Sequence, residues 1–238
     1  MNKRIVLIVM CVALLVTSCG LGSGRVVTSE RSVSGFDAVV LEGLGELTIT
    51  QGDEESLTIE AESNVMRRIT TEVRGRTLYI GLQSAWFGIS IVPTKPIRYD
   101  LTMSDIRTLD VTGLGSIYAG EVRTGQLDVD MSGAGEIVIR SLDADTLELS
   151  LGGLGACEVA GEVREQDILL TGGGDYNGRD LESDKADITL TGLGKAVVWA
   201  TESLDIELTG AGSVEYYGSP RVTQNVSGLG RVKSLGPR

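Results

Sequence analysis

The chain has 238 residues, 32 of them Gly, with 33 Asp and Glu against 21 Lys and Arg, a formal charge of −12 and no His. That length, at 42% apolar content, suffices for one elongated domain with a substantial interior. So acidic a chain is a poor nucleic-acid binder, and the lack of His removes Ser-His-Asp triads and His-ligated zinc.

Residues 1–18 read as a secretory signal: Lys3 and Arg4, then an apolar run from Ile5 to Val16. The run is short for a membrane span. It ends in Val16-Thr17-Ser18-Cys19, which resembles a bacterial lipobox, so Cys19 is the expected lipidated N-terminus and 19–32 a polar tether. A plain secretory signal is the alternative. Several acyl chains on one residue would anchor the protein stably on the extracytoplasmic face of a membrane. Cleavage removes two positive charges and takes −12 to −14. Cys11 leaves with the signal, so Cys157 is the one remaining free thiol and reads as a small buried hydrophobe.

Residues 33–238 read as a single domain. Its first part, 33–108, holds a glycine bend at Gly43-Leu-Gly45 and strands at 46–50, 56–61, 77–82 and near 97–103. A helical turn is expected around 64–69, and Trp86-Phe87 sits in an irregular loop. The 70 residues from Gly43 to Gly113 imply long, irregular first coils in series.

From 109 to 238 a Gly-x-Gly tripeptide recurs at Gly113, Gly133, Gly153, Gly172, Gly192, Gly210 and Gly228, at steps of 20, 20, 19, 20, 18 and 18. An alternating run precedes each bend (Leu127-Asp-Val129-Asp-Met131) and a shorter one follows it (Glu136-Ile-Val-Ile139). Period-2 alternation predicts two short strands per repeat, joined where glycine permits positive φ and close backbone approach. The interval is too short for a crossover helix. The fold class is therefore all-β, a right-handed parallel β-helix with coils of about 20 residues. Two columns support it. The fourth position after the first glycine reads Ile117, Ile137, Cys157, Tyr176, Ala196, Val214, Val232; the second before it reads Val111, Met131, Leu151, Leu170, Leu190, Leu208, Val226. Val122, Leu142, Val163 and Leu181 line a third corner, and Gln224 occupies an inward slot of the last coil as a polar end.

Val33-Ser-Gly-Phe-Asp-Ala-Val39, Pro93-Thr-Lys-Pro-Ile97 and the serial bends ending in Glu215-Tyr-Tyr-Gly-Ser-Pro220 resemble the head GIN domain family. Its members are exported bacterial proteins, often lipoproteins, labelled auto-transporter adhesins. They usually carry Gly-Ser-Gly at the bends, where this chain has Leu, Ala or Gly. The resemblance implies a β-helix shaped like the pectin lyases, with no established catalytic residues.

The glycine pairs are not dinucleotide loops, since no third glycine or helix follows Gly113. Nor are they calcium-binding nonapeptides, since Ala156-Cys157 stands where an Asp is needed. Carboxylates recur at the fifth position before the glycine: Asp128, Glu148, Asp167, Asp187 and Asp205. Stacked roughly 4.8 Å apart, neighbours would repel by roughly 0.9 kcal/mol in water. They form a solvated acidic face or, alternatively, a weak divalent-cation face; no firm metal site and no cofactor are expected. Leu114, Leu154, Leu193 and Leu229 occupy the middle of alternate bends. They either form an exposed apolar interface for an oligomer or tuck onto neighbouring coils. Trp199 and Tyr217 share an outward register with Arg179 one coil earlier, a column fit for cation–π cover or for a sugar ring. The reading is a non-enzymatic envelope lipoprotein that binds a glycan or protein ligand in adhesion. Self-assembly through the apolar edge is the alternative, and polysaccharide cleavage a distant third.

Overall fold

Every second side chain of a strand faces one way, and stacked repeats use this to line a common interior. The computed structural model describes residues 20–83 and 91–238. The signal segment, Cys11, Cys19 and Trp86-Phe87 lie outside the described residues. In the first half the strands are β1 (Gly20–Leu21), β2 (Val26–Arg31), β3 (Ala38–Leu41), β4 (Leu44–Gln51), β5 (Ser56–Glu62), β6 (Ile69–Arg74), β7 (Thr77–Leu82), β8 (Ile91–Val92), β9 (Arg98–Met103) and β10 (Thr108–Val111). The regular repeats are β11 (Leu114–Met131), β12 (Glu136–Leu151), β13 (Ala156–Leu170), β14 (Asp175–Gly192) and β15 (Lys195–Gly210). The last coil is β16 (Ser213–Tyr217), β17 (Arg221–Gly228) and β18 (Arg231–Gly236). The chain is a β-solenoid.

The expected pair of short strands per repeat is in fact one strand of 15 to 18 residues that rounds two further corners without leaving the ladder. In β11 against β12, Ile117 pairs with Ile137, Val122 with Leu142 and Val129 with Leu149. Each coil thus has three faces: the first leads into the glycine bend, the second follows it, and the third joins them. The acidic connectors stay paired because a parallel ladder bonds backbone to backbone, whatever points outward. Both apolar columns are buried as far as Leu208 and Val214, and Val122, Leu142, Val163 and Leu181 bury the third face.

The N-terminal part corrects the expectation of irregular coils in series. Gly113 stacks directly on Gly43: Leu114 pairs with Leu44, and the Leu114 amide donates to the Gly43 carbonyl at 3.0 Å. After β4 the chain crosses to the far side of its own first coil. There β7 pairs parallel with β3, and β6 closes that sheet antiparallel. On the second face β9 pairs parallel with β4, and β5 and β2 follow antiparallel. Only then does the chain return at β10 to the inner side of β3. The helical turn α1 (Ser63–Met66) buries Val65 and Met66 at this end.

The C-terminal end is open. Gln224 stands in the inward column opposite Ile206 but is exposed, and Val226 is 41% exposed, since among the described residues no strand covers their far side.

Candidate functional site

Three features of the solenoid surface carry the candidate residues. The first is the bend corner between the first and second faces. Stacking brings each first glycine against the carbonyl of the previous one: a Cβ on Gly133 would lie 2.0 Å from the Gly113 oxygen, and one on Gly153 would lie 1.9 Å from the Gly133 oxygen. Close approach demands glycine there, joined at Gly192, Gly210 and Gly228 by a positive φ. The middle residue turns outward and its amide donates down the stack: Ala134 to Gly113 at 3.1 Å, Leu193 to Gly172 at 3.2 Å and Leu229 to Gly210 at 2.8 Å. Leu114, Leu154, Leu193 and Leu229 stand 65%, 79%, 76% and 85% exposed. They stand largely in the open, although Leu154 Cδ2 reaches over the next bend and would lie 3.1 Å from a Cβ on Gly173.

The second feature is the acidic face. Thr108, Asp128, Glu148, Asp167, Asp187, Asp205 and Thr223 stand in one unbroken register column. The Gln126 amide donates to Asp128 at 2.9 Å and to Glu148 at 3.1 Å, relieving part of the repulsion. Burial, then Asp205 and Asp167, raise the Asp187 pKa. A shorter second column pairs Asp110 with Asp130. Burial first, then Asp130 and Glu42, push Asp110 up to about 6, and its Oδ1 has no hydrogen-bond partner. Among the described residues no three carboxylates converge closely enough to hold a metal ion. A ladder spreads its charges along a line, whereas a hard cation needs them around a point.

The third feature is the aromatic cluster at the far end of the second face. Trp199 and Tyr217 are paired neighbours. Arg179 is not in register with them: between β14 and β15 the pairing jumps from Asn177–Val197 to Glu182–Trp199, and Arg179 sits in the resulting bulge. It reaches past Trp199 to Tyr217, with its guanidinium carbon 5.9 Å from the ring centre and Nη2 3.4 Å from the hydroxyl. Arg238 takes the place expected for Arg179, lying 5.0 Å from the Trp199 ring centre and 5.4 Å from that of Tyr217, while also bonding Asp180 and the Arg179 carbonyl. The upper face of the platform is therefore covered by the chain itself. Beside it runs an open groove of about 310 Å³ lined by Asp175, Asn177, Arg179, Lys195, Glu215 and Tyr217. Lys195 bridges Glu215 at 2.7 Å, which holds that carboxyl below its usual value.

Two buried polar groups had no signal in the sequence. Glu62 ends β5 and is 1% exposed. It accepts from the Thr94 hydroxyl and amide at 2.7 Å each, from the Gly24 amide at 2.6 Å and from the Lys95 amide at 3.3 Å. The Thr94 hydroxyl, then the backbone amides, outweigh burial and lower its pKa to about 2. Glu62 thereby fastens both the tether and the 91–97 loop. Inside the coils, the Tyr176 hydroxyl donates to Gln166 at 3.0 Å, Gln166 donates to Ser183 at 2.7 Å, and Ser183 donates to the Trp199 carbonyl at 2.9 Å. This chain joins all three faces across the core. Cys157, beside Tyr176, is fully buried, and burial raises its pKa far above reactivity at neutral pH.

A family described as "Putative auto-transporter adhesin, head GIN domain" matches residues 35–220. A crystal structure titled a putative adhesin from Bacteroides fragilis superposes with a TM-score of 0.85 at 23% identity, covering 90% of this chain and 99% of that one. A "Putative lipid binding protein" from Parabacteroides distasonis gives 0.77 at 23%, covering 90% and 98%. A putative adhesin from the same species gives 0.70 at 22%, covering 91% and 99%. At these identities the likeness shows the fold. Comparison with curated proteins returns no match.

Proposed function

The chain belongs to the head GIN domain family, and from that membership we propose that it is an exported, lipid-anchored, non-enzymatic binding protein acting in adhesion at the cell envelope. The observation that carries the reading is the groove beside Tyr217. It sets an aromatic edge among Asp175, Asn177, Lys195 and Glu215, on a rigid sheet, without an enclosed cleft. An aromatic surface bordered by mixed donors and acceptors suits a sugar ring or a polar peptide segment. The names of the structural neighbours support adhesion, and one of them supports lipid binding. Cys19, after small residues at the end of the signal, is the anchor in this reading, and Cys19→Ser releases the protein from the membrane fraction.

The test is a glycan and matrix-protein array probed with the full chain in detergent, with and without Ca²⁺. A specific hit lost in Tyr217→Ala and Lys195→Ala, with thermal stability retained, supports the groove. No hit in either condition from folded protein refutes it. Retention of a hit only with Ca²⁺, lost in Asp187→Asn, moves the site to the acidic face.

The exposed leucines favour a second reading, in which copies assemble edge to edge. That row is only one residue wide, narrow against the ~800 Å² per partner of a standard stable interface.

A further inference from the structure

The bend corner combines three properties. It is free of charge: residues 112–115, 132–135, 152–155, 171–174, 191–194, 209–212 and 227–230 contain no Asp, Glu, Lys or Arg, in a chain of net charge −12. Its N-terminal continuation, at Gly43, is the one bend preceded by an acid, Glu42. The corner is apolar at the tip, where the four leucines stand on alternate coils. Its tip amides are also bonded within the stack. The outward amides that a corner would normally offer to water are spent on the carbonyls of the preceding coil: Leu114 on Gly43, Leu154 on Gly133, Leu193 on Gly172 and Leu229 on Gly210. The tip leucines can thus leave water with their amides already bonded, which a lipid environment favours.

The tether decides what covers the edge. Gly20 and Leu21, directly after Cys19, pair with Ile91 and Val92, and Val92 lines one groove with Leu44 and Leu114. Leu21 and Val92 are 68% and 48% exposed and extend the apolar line beyond Leu114. Residue 20 thus lies at one end of the row. Seven coil steps of roughly 4.8 Å carry the row about 34 Å from Leu44 to Leu229, away from the end where residue 20 lies.

We propose that this edge is a membrane-seating surface: the solenoid lies lengthwise on the bilayer that holds its anchor, with the leucines dipping into the boundary between headgroups and acyl chains. The absence of charge on the corner avoids desolvating ions on contact. Seating also sets the rest of the molecule. The ring pair Trp199 and Tyr217 lies at the far end of the second face from the corner, while the groove beside it begins at Asp175 and Lys195, directly next to the bends. The inference rests on the anchored reading for which surface is met first.

The test uses the full chain in phosphatidylcholine vesicles. An environment-sensitive dye is placed through Ala134→Cys on the corner, or through Arg140→Cys between the second and third faces; Cys157 is too buried to compete. Flotation with the vesicles, lost in Cys19→Ser, establishes the anchor independently. In floated protein the expected result is a blue-shifted dye at 134, quenched by brominated-chain phosphatidylcholine, with the dye at 140 in water. Leu154→Ser together with Leu193→Ser should cut the seated fraction about tenfold. A dye at 134 that stays in water while the chain floats overturns the seating. So does shielding at 134 without vesicles that rises with protein concentration, which would make a second copy the occupant. Failure to float overturns the anchor instead.

Discussion

Substituting Gly133 by alanine adds one methyl group where the stack has no room. The new Cβ would lie 2.0 Å from the Gly113 carbonyl oxygen, and ordinary contact begins at 3.4 Å, so the two bends must separate by roughly 1.4 Å or distort by as much. Three hydrogen bonds cross that gap: Ser132 and Gly133 to Val111, both at 3.2 Å, and Ala134 to Gly113 at 3.1 Å. Opening it takes all three beyond hydrogen-bonding distance. At about 1 kcal/mol each, with about 1 kcal/mol of residual packing strain, the loss is about 4 kcal/mol. For a domain of this size each kcal/mol moves Tm by roughly 2–4 °C, so a fall of about 10 °C is expected. Thermal melts by far-UV circular dichroism and by calorimetry measure it. Gly125 supplies the control, because a Cβ there meets nothing within 4 Å, and Gly125→Ala should stay within about 0.5 kcal/mol of wild type. If Gly133→Ala melts within about 1 °C of the parent, or Gly125→Ala falls as far, close carbonyl approach is not what holds the bends to glycine.

Glu62 holds its proton less tightly in the fold than in the open chain, so its contribution is complete above pH 4.5 and is lost as pH falls toward 2. Hydrogen exchange at Gly24, Thr94 and Lys95 should therefore speed up in Glu62→Gln at neutral pH, while amides of β12 keep their protection. Asp110 has the opposite sign. Its raised pKa, about 6 against 3.8, means that ionisation costs stability, and the cost grows from pH 4 to pH 6 and is full above that. Asp110→Asn should thus raise Tm at pH 8 and leave it unchanged near pH 3.5. Tyr176→Phe strands the Gln166 side-chain oxygen inside the core, and urea unfolding should show a loss of about 1–3 kcal/mol. Tyr176→Phe paired with Gln166→Leu should recover part of that loss, since no polar atom is then left without a partner on that side.

The regular coils were legible because their cause is local and repeated. A glycine every 18 to 20 residues and a period of two between them assign inside and outside residue by residue, and Ile117, Ile137 and Leu151 lie where that rule puts them. The acidic column was legible because it is counted back from the bend glycine, on the side of each repeat where the register holds through every coil. In the stretch after the bend, where residues are lost, the rule fails. The shortened repeat that contains Trp199 shifts the pairing, drops Arg179 of the preceding coil into a bulge and leaves the place over the indole to Arg238, 39 residues further on. The order of the first coils depended on which strand edge was still free when the chain returned, and no pattern within 33–108 encodes that. Glu62 shows the same limit most plainly. Its alternation within β5 reads as an ordinary strand end, and only the approach of Gly24, Thr94 and Lys95 from elsewhere in the chain makes a buried carboxylate tolerable. The sequence by itself determined the repeat, the interior and the charge-free corner, because those follow from backbone geometry repeated in register. The tertiary structure alone decided that the leucines stand free and that the tether begins at their end, because exposure and proximity are set by what the rest of the chain leaves uncovered.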